Sequence, residues 1–155
     1  MDNPVIIFGA NSLGQAAMEI FDSNDVVVYG FLDDDKKLHG TELNEITVLG
    51  RTDDDGYLKL IGKKCEGFIA EDDRDLRKGI VKLMMDRRKK MPVNGIHGNT
   101  EIASSAHIGH GNFINSGGVI GSNAKVANHC ILNTNATIDY GAGLKDLVQV
   151  GGGSV

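Results

Sequence analysis

The sequence predicts an α/β domain followed by a β-solenoid, that is, a parallel sheet flanked by helices and then a stack of short strands. Two observations lead to this fold class. Continuous apolar segments alternate with amphipathic segments through the first ninety residues. From residue 96 onward a branched aliphatic residue recurs at every sixth position, a spacing that neither a helix nor a single strand produces. We therefore divide the chain into residues 1–91 and 92–155.

The six-residue repeat runs without interruption over ten units. Its aliphatic positions are Ile96, Ile102, Ile108, Ile114, Ile120, Val126, Leu132, Ile138, Leu144 and Val150. Four residues after these stand mostly small or compact residues, namely Thr100, Ala106, Asn112, Gly118, Ala124, Cys130, Ala136, Ala142, Val148 and Ser154. This pattern is typical of a parallel β-helix in which each unit forms one side of a triangular prism and three units, about 18 residues, make one coil. We expect both positions to point inward. A β-sandwich that matches the spacing by chance is the alternative, and ten units in register weigh against it.

Strands and helices alternate in the first ninety residues. Strands are expected at residues 5–8, 26–32, 47–49 and 67–70. Ser12 is expected to cap the first helix. The buried face of that helix should consist of Leu13, Ala17, Ile20 and Phe21. A short helix is expected near residues 57–61, and Asp72 or Asp73 should begin the last helix. The core side chains of the last helix should be Leu76, Ile80, Leu83 and Met84. This order predicts a parallel sheet.

A glycine-containing turn joins the first strand to the first helix. It reads Gly9-Ala10-Asn11-Ser12-Leu13-Gly14. Strand, turn and helix N-terminus together can bind a phosphate, because backbone N–H groups and the helix dipole both point at the anion. Asn11 stands where the dinucleotide fingerprint has its second glycine, and asparagine tolerates a left-handed backbone better than most residues. About twenty residues on, Asp33 or Asp34 is placed to accept a hydrogen bond from a ribose hydroxyl. The turn predicts a nucleotide-type ligand, with a purely structural turn as the alternative.

Composition and charge exclude several classes of function. The net charge of −5 argues against a general nucleic-acid binder. The one basic run, residues 87–90, is explained by cations at a helix C-terminus. No apolar stretch is long enough to span a bilayer and no signal peptide is present, so we expect a cytoplasmic protein without membrane contact. Cys65 and Cys130 are too few for a disulfide framework and lack metal-ligand spacing, so we predict no metal site.

The chain resembles the sugar acetyltransferases typified by the sialic-acid O-acetyltransferase and bacillosamine-pathway N-acetyltransferase group. The resemblance lies in the segments 5–10, 30–35, 48–50, 75–77 and 96–97, and in the hexapeptide repeat with Asn133-Thr134-Asn135-Ala136-Thr137-Ile138-Asp139. It implies a Rossmann-like first domain that holds a nucleotide-linked sugar and a short left-handed β-helix. It also implies a homotrimer with acetyl-CoA as co-substrate in the groove between adjacent β-helices. By position, residues 9–14 would be the phosphate turn, and Asp33 and Asp34 the nucleoside contacts.

The chain departs from this family at the catalytic position. Family members carry a histidine directly after an Asp or Glu, and that histidine removes the proton from the attacking amine or hydroxyl. Here Asp139 is followed by Tyr140. An imidazole is mostly a free base at pH 7, whereas a phenol with an ordinary pKa near 10 is ionised only about one part in a thousand. Loss of a general base commonly costs about 10²–10⁴ in rate. A second departure is that the relatives carry further hexapeptides beyond those of this chain.

Three functions are compatible with these features. The first is an acetyl-CoA-dependent transferase acting on a nucleotide-linked amino sugar, impaired at Tyr140 or using another base. The second is a non-catalytic relative that keeps the nucleotide-sugar pocket, and the third is a structural oligomerisation core. The histidines in or beside the repeat are the candidate substitute bases, although a surface or turn role is favoured for each. These are His97, His107, His110 and His129.

Overall fold

The computed structural model describes residues 2–153, which form two compact units divided between Val93 and Asn94. The division falls two residues after the boundary that the repeat predicts. Val93 still pairs with the first unit, because its amide donates to the Gly67 carbonyl at 2.9 Å.

The first unit is built on a five-stranded sheet, and its parallel arrangement is the one predicted. The strands are β1 (Val5–Phe8), β2 (Val28–Leu32), β3 (Glu42–Leu43), β4 (Ile46–Gly50) and β5 (Glu66–Ile69). Their order is β3-β4-β2-β1-β5, and every pair is parallel except the short β3–β4 hairpin. The central strand β1 is buried along its whole length, as its continuous apolar sequence requires. The carboxyl ends of four parallel strands therefore meet at one edge of the sheet.

In the described part of this unit, three α-helices accompany the sheet: α1 (Ser12–Ser23), α2 (Asp55–Leu58) and α3 (Arg74–Arg88). In α1, Ala17, Ile20 and Phe21 are buried as expected, whereas Leu13 is only half-buried. The prediction that Ser12 caps α1 is wrong. Asn11 is the N-cap, since its side-chain oxygen accepts the Gly14 amide at 2.8 Å.

Helix α3 begins after Asp73, one of the two caps predicted, and its Met84 is fully buried. Leu76 was expected in the core but is 57% exposed. The fully enclosed position on this turn belongs to Arg77, which is 2% exposed. Its Nη1 donates to the Glu71 carbonyl at 3.1 Å and so ties the start of the helix to the end of β5.

The second unit is a parallel β-helix, as the hexapeptide repeat predicts. It has ten two-residue strands in the described part of the chain: β6 (Gly95–Ile96), β7 (Glu101–Ile102), β8 (His107–Ile108), β9 (Phe113–Ile114), β10 (Val119–Ile120), β11 (Lys125–Val126), β12 (Ile131–Leu132), β13 (Thr137–Ile138), β14 (Gly143–Leu144) and β15 (Gln149–Val150). They form three parallel sheets, ordered β13-β10-β7, β14-β11-β8 and β15-β12-β9-β6. Paired residues are 18 apart, for example Ile120 with Ile138, so three hexapeptides make one coil.

The repeated aliphatic residues form the interior of the coils. Ile114, Ile120, Val126, Leu132 and Ile138 are all 5% exposed or less. Burial falls off in the outer coils, where Ile102 is 37% exposed. The small position is also internal in the middle coils, and Cys130 is fully buried there as predicted. Ser154, the last small position of the repeat, lies outside the described residues.

Corners of the β-helix recur with the same period as its core. A residue with positive φ occupies every sixth position from Gly111 to Gly153, and His129 (φ 59°) is one of the non-glycine examples. Inside the coil a ladder of side chains links successive turns. The Asn94 side-chain oxygen accepts the Asn112 amide at 2.8 Å, and the Asn112 oxygen accepts the Cys130 amide at 2.7 Å. The small position of the repeat therefore has two roles: its side chains fit inside the narrow coil, and at Asn112 the side chain forms hydrogen bonds between coils.

Candidate functional site

A cavity of about 180 Å³ opens at the carboxyl edge of the sheet in the first unit. Its lining residues are Gly9, Asp33, Asp34, Thr52, Glu71, Leu76 and Ile80. They come from the loops that follow β1, β2, β4 and β5 and from the first turns of α3. This is where open α/β sheets bind their ligands. The structure thus brings Gly9, Asp33 and Asp34, three of the residues singled out from the sequence, to one cavity.

The turn between β1 and α1 requires both of its glycines. Gly9 has φ of +116°, and a Cβ built there would lie 2.2 Å from the Ala70 carbonyl oxygen. A Cβ on Gly14 would lie 2.0 Å from the Gly9 carbonyl oxygen. The left-handed residue of the turn is therefore Gly9, while Asn11, with φ of −131°, is extended. The role of Asn11 in this turn therefore does not depend on a left-handed backbone. It depends on the hydrogen bond by which its side chain caps α1.

Three amides of this turn are already paired inside the protein, the first being the Gly9 N–H, which donates to the Leu32 carbonyl at 2.8 Å. The Ala10 N–H donates to Asp33 Oδ2 at 2.9 Å, and the Gly14 N–H donates to Asn11 Oδ1 at 2.8 Å. Ser12 and Leu13, the first residues of α1, are exposed and half-buried respectively. The first amides of a helix have no acceptor within the helix. Donors available to an anion are therefore concentrated at the start of α1 and reduced at Ala10 and Gly14.

The two aspartates also hold neighbouring loops in place. Asp33 Oδ1 accepts the Asp35 N–H at 2.9 Å, and the His39 Nε2 lies 2.6 Å from the Asp33 carbonyl oxygen. Asp34 Oδ1 accepts both the backbone N–H and the hydroxyl of Thr52, at 2.9 and 3.0 Å. Each carboxylate thus uses some of its hydrogen-bond acceptor sites to hold the loops at the rim of the cavity.

Glu71 is a lining residue that the sequence reading did not single out. Burial raises the pKa of its carboxyl, and the nearby carboxylates of Asp33, Asp72, Asp73 and Asp34 raise it further. Within residues 2–153, no hydrogen bond or ion pair involves this carboxylate. A signal was available: Glu71 follows the apolar segment 67–70 directly, at the sheet edge where ligands bind.

Asp139 and Tyr140 follow strand β13 in the second unit. Asp139 Oδ1 accepts the backbone N–H of Tyr140 at 2.8 Å, and the Tyr140 side chain is 76% exposed. A Cβ on Gly121, one coil below, would lie 2.7 Å from the Tyr140 nitrogen, so the glycine lets the two coils meet closely. The phenol is presented to solvent rather than enclosed.

The histidines of the repeat occupy surface and corner positions. His107 and His110 are exposed, and His129 is a buried corner residue. The Nδ1 of His97 accepts the Asn99 amide at 2.9 Å, which is a local turn contact.

A shallow groove follows the β8–β11–β14 side of the β-helix. Its floor includes the small residues Gly109, Ala127 and Gly143, and Lys125 and Lys145 flank it. Small residues allow another backbone or an extended ligand to approach closely, and the two ammonium groups favour an anion.

Two structural features are absent from the described part of the chain. Between residues 2 and 153, no group of three or more His, Cys, Asp or Glu side chains is arranged to hold a metal ion. None of the helices within that range is long and apolar enough to cross a membrane.

Comparison with known proteins confirms the fold. No protein-family model matches the chain, and no curated protein sequence does. Among solved structures, a variant of GDP-perosamine N-acetyltransferase from Caulobacter crescentus, determined with CoA and GDP-perosamine, is 22% identical with a TM-score of 0.83 over 96% of this chain and 69% of its own. The acetyltransferase domain of PglB from Neisseria gonorrhoeae, determined with acetyl coenzyme A, is 21% identical with a TM-score of 0.81 over 96% of this chain and 70% of its own.

WeeI from Acinetobacter baumannii is a third similar structure, 21% identical with a TM-score of 0.78 over 94% of this chain and 68% of its own. The fold is therefore the one found in sugar N-acetyltransferases: a parallel α/β unit followed by a hexapeptide-repeat β-helix. The resemblance stated from the sequence motifs is confirmed at this level.

Proposed function

We propose that the chain is an acetyl-CoA-dependent acetyltransferase acting on a nucleotide-linked amino sugar, with its activity impaired at Tyr140. The observation that carries this proposal is the shared fold over 96% of the chain with an N-acetyltransferase whose structure holds CoA and GDP-perosamine. The cavity at the sheet edge supports it independently, because it combines hydrogen-bond acceptors with an apolar wall.

In this proposal the α/β unit is Rossmann-like and binds the nucleotide. Asp33, Asp34 and Glu71 make the cavity itself negative, which suits a nucleoside and disfavours phosphate. The diphosphate would lie outside the cavity, over the segment 9–14 and the first amides of α1. The β-helix would wind left-handed and assemble into a homotrimer, with acetyl-CoA along a groove between neighbouring subunits. Lys125 and Lys145 are suited to its phosphate groups.

The reaction would be acyl transfer from a thioester to an amine. The sugar amine attacks the thioester carbonyl carbon, a C–N bond forms, the C–S bond breaks, and CoA leaves as the thiol after taking up a proton. A base must remove the proton that the amine loses. Asp139 and Tyr140 are the residues we propose at that position, with Asp139 bonded to the amide of its neighbour. A neutral phenol is a much weaker base than an imidazole, so turnover should be slow.

A non-catalytic nucleotide-sugar-binding protein is the second candidate. It is favoured by two observations: the Tyr140 side chain is 76% exposed, and Asp139 Oδ1 accepts the backbone N–H of Tyr140. Among residues 2–153, no side chain forms a hydrogen bond with the phenol.

The test is calorimetry with acetyl-CoA and with a UDP- or GDP-linked amino sugar, together with a thiol-release assay on the wild type, Tyr140→His and Tyr140→Phe. We expect both ligands to bind and the histidine variant to gain about 10²–10⁴ in rate. The phenylalanine variant should fall below the wild-type level, since it removes the hydroxyl that we propose as the weak base. Binding of the nucleotide sugar without acetyl-CoA binding, and no gain from histidine, would favour the binding protein. Binding of neither ligand would refute both.

A further inference from the structure

The three carboxylates of the sheet-edge cavity differ in what they already bind. Asp33 accepts the amides of Ala10 and Asp35, and Asp34 accepts two hydrogen bonds from Thr52. Glu71 lines the same cavity, and its side-chain carboxylate accepts no hydrogen bond among residues 2–153. A half-buried carboxylate without a hydrogen-bond donor is unfavourable in the free protein. Of the three carboxylates, that of Glu71 is therefore the one with both oxygens available to accept hydrogen bonds from a ligand.

The backbone that carries Glu71 is fixed from two sides. The buried guanidinium of Arg77 donates to the Glu71 carbonyl oxygen at 3.1 Å. One residue earlier, the Ala70 amide donates to the Phe8 carbonyl at 2.7 Å, which locks the end of β5 against β1. These two hydrogen bonds fix the backbone from which the Glu71 side chain reaches the cavity.

One wall of the cavity is apolar, in contrast to its carboxylates, and this limits the kinds of ligand that the cavity can bind. Leu76, 57% exposed, and half-buried Ile80 supply an apolar surface beside the acceptor. Exposure of a leucine on the first turn of an amphipathic helix is explained if a flat ligand covers it. An apolar wall next to carboxylates suits a base and ribose, which have both apolar faces and hydrogen-bond donors.

We propose that Glu71 is a specificity-determining residue of this cavity and accepts a hydrogen bond from the nucleoside, through a base N–H or a ribose hydroxyl. The inference rests on the proposed function, since it presumes that a nucleotide sugar is the ligand. It adds a recognition residue that the nucleotide motifs of the sequence do not include.

The test measures binding of UDP-N-acetylglucosamine and GDP-mannose by calorimetry at pH 7.5. Glu71→Gln keeps the shape of the side chain and removes its charge, and Glu42→Gln, on the exposed strand β3, is the matched control. We expect Glu71→Gln to weaken the better ligand about tenfold to a hundredfold, as for loss of a charged hydrogen bond, and Glu42→Gln to change nothing. Comparison of UDP with 2′-deoxy-UDP and with 3′-deoxy-UDP then separates the two donors. Discrimination against either deoxy compound that is lost in Glu71→Gln assigns the ribose, and discrimination retained against both assigns the base.

A pH series supplies a readout that a structural role would not move. Lowering the pH should weaken binding to the wild type as the Glu71 carboxylate takes up a proton, whereas Glu71→Gln should bind with a flatter pH profile. Asp33, Asp34 and His39 on the β2 side, and Asp72, Asp73 and Arg77 on the α3 side, are present in both proteins. The difference between the two profiles therefore reports on Glu71.

Two failures are distinguishable. If the wild type binds a nucleotide sugar and Glu71→Gln binds it equally well at every pH, the role of Glu71 is refuted while the proposed function stands. If the wild type binds no nucleotide sugar, the proposed function and this inference fall together.

Discussion

Glu71 is a carboxyl whose burial and acidic neighbours all favour its neutral form. Its pKa in the folded state lies above the ordinary value of 4.5, so the folded protein holds this proton more tightly than the unfolded chain does. The resulting stability is fully present below pH 4.5 and is lost as the pH rises through the folded-state pKa. We therefore predict that Glu71→Gln raises the melting temperature at pH 7, by about 1–3 °C for a half-exposed group, and has no such effect at pH 4.

Melting curves of the wild type and Glu71→Gln at the two pH values check this, with Glu42→Gln as the exposed control. An equal or lower melting temperature of Glu71→Gln at pH 7 would contradict the assignment. A residue kept for binding at a cost in stability is what the inference on the cavity implies.

Asn112 stabilises the β-helix through bonds that no apolar residue could make. It is fully buried, its amide nitrogen donates to the Ala127 carbonyl at 2.9 Å, and its oxygen accepts the Cys130 amide at 2.7 Å. Asn112→Ala removes the acceptor of the buried Cys130 N–H and the donor to the half-buried Ala127 carbonyl, so we predict a loss of about 2–4 kcal/mol in the free energy of unfolding, measured by urea denaturation. Asn99→Ala, which removes an exposed contact to Ser116, should cost less than about 1 kcal/mol. Similar losses in the two variants would show that the ladder is not stabilising.

At the level of elements, two helical glycines should respond in opposite directions to the same substitution. A Cβ added to Gly14 in α1 would lie 2.0 Å from the Gly9 carbonyl oxygen. A Cβ added to Gly79 in α3 would have no atom within 4 Å. We predict that Gly14→Ala destabilises the protein by about 2 kcal/mol or more and weakens nucleotide binding, because α1 must move off the turn. Gly79→Ala should stabilise it by about 0.5–1 kcal/mol.

Thermal melts and nucleotide titrations of both variants check this pair. A stabilised Gly14→Ala protein would mean that the close contact between α1 and the turn is not needed.

The β-helix could be predicted almost completely, because a period of six fixes which residue points inward at every strand. Cys130 illustrates this: its phase alone placed it in the interior. One detail that the sequence did not predict is the residue that caps α1, because two neighbouring residues could fill that position. Asn11 and Ser12 are both good caps, and only the backbone geometry of the turn decides between them.

Leu76 was misplaced for a different reason. A helical period of 3.6 groups it with Ile80 and Met84, but the period does not show where the helix ceases to be covered by the sheet. Glu71 was missed because a glutamate beside a strand is usually solvated, and the sequence does not show that it lines the same cavity as Asp33, which lies far earlier in the chain. The cavity could thus be predicted in part, from Gly9, Asp33 and Asp34, whereas the third carboxylate, Glu71, could not.

For the whole molecule, the β8–β11–β14 groove bears on the assembly. Its small floor residues, Gly109, Ala127 and Gly143, would let a second β-helix approach closely, as the homotrimer that we propose requires. We predict that light scattering of the purified chain gives three times the 16.6 kDa mass of one subunit. Ala127→Arg should reduce this to a single subunit with unchanged circular dichroism, because a long charged side chain fills the groove. Ser104→Arg, on an exposed turn after β7, should leave the trimer intact. A wild-type mass of one subunit at about 50 μM would refute the trimer and, with it, a donor site shared between subunits.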